Sequence, residues 1–75
     1  MYCLKCKART ELSRHHIFPR RFFPEEKATI KLCLDCHADL EEVITALEYR
    51  YGRQRKLPRE EYLIIAANFL NGEVA

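Results

Sequence analysis

Apolar residues recur at Leu40, Val43, Ile44, Leu47 and Tyr51, the i, i+3, i+4, i+7 and i+11 positions of a single helical stripe. Asp39, Glu41, Glu42 and Glu48 fall on the other faces. The pattern predicts an amphipathic helix that starts near Cys36 and ends at Gly52, with Arg50 in the last turn, where a cation suits the helix dipole. A second helix is expected over residues 58–71. Pro58 suits its first position, Glu60 and Glu61 its first turn, and Asn71-Gly72 its end. This helix is apolar on most of its surface, so it must cover a small core or meet a partner chain, which leaves a homodimer open.

Upstream, Leu12-Ser13-Arg14-His15-His16-Ile17-Phe18 is short, apolar-ended and stopped by Pro19, as a brief strand would be. Thr29-Ile30-Lys31-Leu32 fits a second strand. Residues 19–27, with two prolines and two adjacent phenylalanines, read as a loop, and 53–57 as a basic turn. One or both of Phe22 and Phe23 are expected to fill the space under that loop, the alternative being a wedge into a groove. There is no repeat, low-complexity tract or interdomain linker, so residues 1–75 are read as one small α+β domain.

A core of this size rarely supplies more than about 3–5 kcal/mol, and such domains usually need a staple. Cys3-Leu4-Lys5-Cys6 and Cys33-Leu34-Asp35-Cys36 offer one. Two residues between cysteines let a tight knuckle point both thiolates at one ion, and two knuckles complete a tetrahedral site for a structural Zn²⁺. Disulfides within each pair are the alternative, but they would staple nothing long-range. The opening residues Met1-Tyr2-Cys3-Leu4-Lys5 lack the order of a secretory leader, and no apolar run approaches the roughly 18–20 residues of a membrane span. The expectation is a cytoplasmic (intracellular) protein without membrane contact, where paired cysteines bind metal.

The net charge of +2 hides segregation. Residues 1–31 carry eight Lys/Arg against three Glu, residues 32–49 five acids and no base, and residues 50–59 five bases and no acid. Two basic segments flanking an acidic helix suit a phosphate-tracking surface, the alternative being ordinary solvated charge. All three histidines lie within or beside the cysteine framework: His15 and His16 between the pairs, His37 directly after the last cysteine. On an extended strand His15 and His16 face opposite sides, so one can bind a metal while its neighbour addresses substrate. Imidazoles with open positions can hold a divalent ion, and an unbound imidazole, with an ordinary pKa of about 6.5, is a competent base.

Cys3-x-x-Cys6, then Arg14-His15-His16-Ile17-Phe18-Pro19-Arg20, then Leu32-Cys33-x-x-Cys36-His37-x-x-Leu40 resembles the zinc-knuckle branch of the HNH nucleases. The resemblance covers residues 3–40. It implies a ββα-metal (His-Me finger) core over residues 3–51, with an added C-terminal helix, and hydrolysis of DNA phosphodiesters. It also implies that His15 and His37 hold a catalytic divalent cation (Mg²⁺, Mn²⁺ or Ni²⁺), that His16 activates water, and that the four cysteines hold a separate zinc. The expected partner is double-stranded DNA, with Arg14, Arg20, Arg21 and Lys31 as phosphate contacts. One position departs from the family pattern. Where an Asn helps fix the loop bearing the base, this chain has Ala28, with Thr29 beside it as the nearest hydroxyl. The alternative function is a zinc-dependent module of the same fold that binds nucleic acid or a protein partner without turnover.

Overall fold

The structure is a computed structural model that describes residues 2–72; Met1 and residues 73–75, the ends of the domain read from sequence, lie outside the described residues. Strand β1 (Leu12–His16) pairs antiparallel with β2 (Thr29–Cys33), in the register Leu12↔Cys33, Ser13↔Leu32, Arg14↔Lys31, His15↔Ile30 and His16↔Thr29. Directly opposed residues share a face. Ser13, His15, Ile30 and Leu32 therefore line one side of the ribbon, and Arg14, His16, Thr29 and Lys31 the other. The first side packs inward: His15 and Leu32 are fully buried. The ladder continues beyond β1, where the Ile17 amide donates to the Ala28 carbonyl at 3.1 Å.

Helix α1 (Leu34–Glu48) follows β2 without a linker. Its cap is unusual in kind: the Cys33 sulfur accepts from the Cys36 amide at 3.4 Å, doing the work usually given to a serine or aspartate oxygen. The buried positions are Cys36, Leu40, Ile44 and Glu48, with Val43 and Leu47 half-buried beside them. The predicted stripe thus holds from Leu40 to Leu47, but two expectations are corrected. Tyr51 leaves the stripe and is 97% exposed, and Glu48 leaves the solvent face for the core.

The reason is a second hairpin that periodicity did not reveal. Strands β3 (Tyr49–Arg50) and β4 (Arg53–Gln54) pair antiparallel, so residues 53–57 are not simply a turn. Tyr51 at φ 54° and Gly52 at φ 74° form the two-residue link, the positive-φ pair of a type I′ turn. Gly52 therefore closes a hairpin and does not end a helix.

Helix α2 (Arg59–Leu70) begins after Pro58, and Gly72 takes a left-handed φ of 80° just beyond it. It covers the core with Tyr62, Ile65 and Ala66, leaving Leu63 and Ile64 partly exposed. Phe23 stacks edge-on between Phe18 at 5.7 Å and Tyr62 at 5.5 Å, the filling role expected beneath the loop. The result is a small α+β fold of two hairpins and two helices. Among the described residues no helix is long and apolar enough to cross a membrane.

Candidate metal centres and a basic face

The first cysteine knuckle is held by backbone bonds. Cys3 N–H donates to Ala8 O, Lys7 N–H to Cys3 O, and Leu4 N–H to Lys31 O, which ties the knuckle to β2. Lys7 accepts a left-handed φ of 65° to complete the turn. The second knuckle straddles the β2–α1 junction. Together they bring the Sγ atoms of Cys3, Cys6, Cys33 and Cys36 within 4.8 Å of one another. Cys6 Sγ and Cys33 Sγ stand 3.7 Å apart. Metal–sulfur bonds of about 2.3 Å give a tetrahedron with edges of about 3.8 Å, whereas a disulfide requires about 2.05 Å. All four cysteines are free thiols, and the set can hold a zinc ion.

Their acidities point the same way. Burial opposes ionisation of Cys3, but donors from Cys33, Cys6 and Lys5 bring its pKa down to about 6. Burial, then sulfur neighbours Cys33, Cys6 and Cys3, push the Cys36 thiol up. Crowding thiols into one desolvated pocket spreads them in this way, and a divalent cation removes the conflict by binding them all as thiolates.

A second set lies between the first hairpin and α1. His15 reaches it from the inner face of β1, while His37 and Glu41 come from successive turns of α1. Glu41 Oε1 is 3.0 Å from His15 Nδ1 and 3.6 Å from His37 Nε2, and the two rings meet edge-to-face at 5.1 Å. The carboxylate is close to His15 yet out of line for a hydrogen bond, and neither His15 ring nitrogen has a hydrogen-bond partner among the described residues. Burial is the main force lowering the His15 pKa, against the pull of Glu41 and with help from His37. A neutral, buried imidazole without a hydrogen bond on either nitrogen keeps a lone pair available to a cation.

His37 is oriented from behind. Ser13 Oγ lies 2.6 Å from His37 Nδ1 and 3.3 Å from the Leu32 carbonyl. If the hydroxyl proton goes to Leu32 O, Ser13 accepts from Nδ1–H and leaves Nε2 unprotonated toward Glu41. That is the arrangement by which outer partners fix a ligating imidazole. His15, His37 and Glu41 therefore form a donor set that could hold a metal ion. No family model, curated protein or solved structure matches the chain.

The remaining sequence-predicted residues divide clearly. His16 sits half-buried on the opposite face from His15, paired in register with Thr29. Arg14 and Lys31 are exposed on that same face and directly opposed. Arg20 is exposed in the loop. Ala28 is exposed and contributes its backbone carbonyl, not a side chain, to the strand end beside His16. Arg21 is committed elsewhere: its guanidinium donates to Glu48.

Sequence reasoning passed over three participants. Glu41 had a signal, the i, i+4 spacing from His37. Ser13 had only its alternation with His15. Glu48 had none, because its partners Arg21, Gln54 (2.8 Å) and Tyr62 Oη (2.7 Å) come from three separate segments.

Proposed function

We propose that this protein is a metal-dependent endonuclease of the HNH type, acting on DNA phosphodiesters, with a ββα-metal core stapled by zinc on its four cysteines. The observation that carries the reading is the buried His15, whose ring nitrogens make no hydrogen bond among the described residues, clustered with His37 and Glu41 and one residue from His16 on a basic strand face. A divalent cation held there would accept a phosphate oxygen and stabilise the leaving oxygen. His16 takes the proton from the attacking water, and Arg14 and Lys31 draw the backbone phosphates to its face. Ser13 keeps His37 in the ligating tautomer. The Ile17–Ala28 backbone bond ties the strand end beside His16, which supports a working site despite the missing amide side chain at position 28.

The second reading is a zinc-stapled binding module without turnover. It is favoured by the His16 ring, which has no hydrogen bond among the described residues to fix it, and by Ala28. Nicking of supercoiled plasmid with Mg²⁺, Mn²⁺ or Ni²⁺ separates the two. Cleavage by the wild type that His16→Ala abolishes, with DNA binding retained, is the outcome expected of the enzyme. Ala28→Asn should then raise the rate, by about tenfold if it restores a loop contact of ordinary worth. Folded, zinc-loaded protein that nicks with no metal, even as Ala28→Asn, would sink the nuclease and leave the binder.

A further inference from the structure

Residues 50–59 carry five bases, and the fold sorts them into two groups. Arg59 donates to Glu26 at 2.7 Å and covers the Phe18 ring at 4.4 Å, while Lys56 covers Phe23 at 4.5 Å. These two hold the fold together. Arg50, Arg53 and Arg55 are exposed, and their side chains have no partner among the described residues.

Arg50 and Arg53 are moreover directly opposed across the β3–β4 hairpin. Gln54 turns inward to Glu48, so by strand alternation the two arginines stand together on the other side. Like charges directly opposed weaken a hairpin, and an anion between them would reverse the sign of that contact.

The tip adds a second anomaly. A type I′ turn favours asparagine, aspartate or glycine at both central positions. Here the first is Tyr51, a bulky residue at φ 54° whose ring is 97% exposed and packs on nothing that would reward the strain. A local rule broken without structural gain marks a position serving another end. An exposed aromatic beside paired arginines has the composition of a single-strand platform, in which cations hold phosphates and the ring stacks on a base.

We propose that the β3–β4 hairpin is a nucleic-acid arm, with Arg50 and Arg53 clasping one backbone phosphate and Tyr51 stacking on an adjacent unpaired base. The arm rests on the nucleic-acid reading above and extends it to the substrate's form: DNA with a single-stranded segment. Eleven residue steps of α1 lead from His37 to Glu48 at the foot of the hairpin, about 17 Å at helical rise. At the duplex spacing of about 3.4 Å per nucleotide that distance corresponds to about five nucleotides.

The test is fluorescence anisotropy of the zinc-loaded protein with a labelled DNA single strand, and with the duplex it forms with its complement, over a salt series. Tyr51→Asn, which suits the turn better, should keep or raise the melting temperature. It should weaken single-strand binding about fivefold or more while leaving duplex binding unchanged. Arg50→Ala with Arg53→Ala should reduce the slope of log affinity against log salt by about 0.7, one phosphate of a single strand. Unchanged single-strand affinity and slope in folded variants would overturn the arm and leave the nuclease site untouched. Equal losses on both DNA forms would overturn base stacking. Wild type that binds neither form would sink the nucleic-acid reading itself, and the arm with it.

Discussion

At the scale of single residues, Glu48 shows how a charge can be made structural. Its carboxylate is fully buried and receives bonds from Arg21, Gln54 and Tyr62, so its negative charge is dispersed over three donors. Tyr62 in turn accepts from the Leu57 amide at 3.1 Å, which relays the contact to the entrance of α2. Burial is the first cause raising the Tyr62 pKa to about 12, and the neighbouring Glu48 charge adds to it. The folded protein therefore holds the phenol proton more tightly than the unfolded chain, whose tyrosine ionises at about 10. Stability from this group is intact below pH 10 and declines as pH rises from about 10 to about 12. A tyrosinate absorbance step near pH 12 that disappears in Tyr62→Phe would bear this out. Its persistence in that variant would assign the step to another tyrosine.

At the scale of elements, both hairpins and α1 owe their boundaries to single residues with special geometry. Cys33 ends β2 and caps α1 with its sulfur, so the second cysteine knuckle and the helix start are one structure. Gly52 supplies the second positive φ of the distal turn, and a Cβ added there would touch nothing within 4 Å. Gly52→Ala consequently tests backbone strain alone. It should cost about 1 kcal/mol, which for a domain of this size lowers the melting temperature by about 4–8 °C. An unchanged melting temperature would mean that the hairpin contributes little to cooperative folding.

At the scale of the whole molecule, the four sulfurs join the N-terminal knuckle to the β2–α1 junction across 26 intervening residues. The remaining core is a short set of side chains, chiefly Phe18, Leu32, Leu40, Ile44, Tyr62 and Ile65. Structural zinc contributes on the order of 10–16 kcal/mol of apparent binding energy, well beyond what so small a core supplies. Stripping metal with a chelator, or Cys36→Ser, should therefore abolish the helical circular dichroism signal, and added Zn²⁺ should restore it in the wild type. A chelated protein that keeps its helical signal would place the stability in the apolar core instead.

The elements formed by local rules were legible in the sequence: two cysteine knuckles from their spacing, one hairpin from a pair of short apolar runs, and two helices from periodicity and end signals. The opposite facing of His15 and His16 followed from strand alternation. Tertiary structure decided the rest. Glu41 joins His15 and His37 only because α1 lies across the inner face of β1, and Glu48 is a core residue only because Arg21, Gln54 and Tyr62 converge on it. The second hairpin escaped detection because its strands are two residues each and its turn carries Tyr51, which a propensity rule assigns to the helix before it. The equivalence of charges along residues 50–59 was likewise broken only by the fold, which pairs Lys56 and Arg59 with neighbours and leaves Arg50, Arg53 and Arg55 to solvent. Periodicity and spacing report contacts between near neighbours in the chain, whereas the meaning of a buried or unpaired charge depends on segments that only folding brings together.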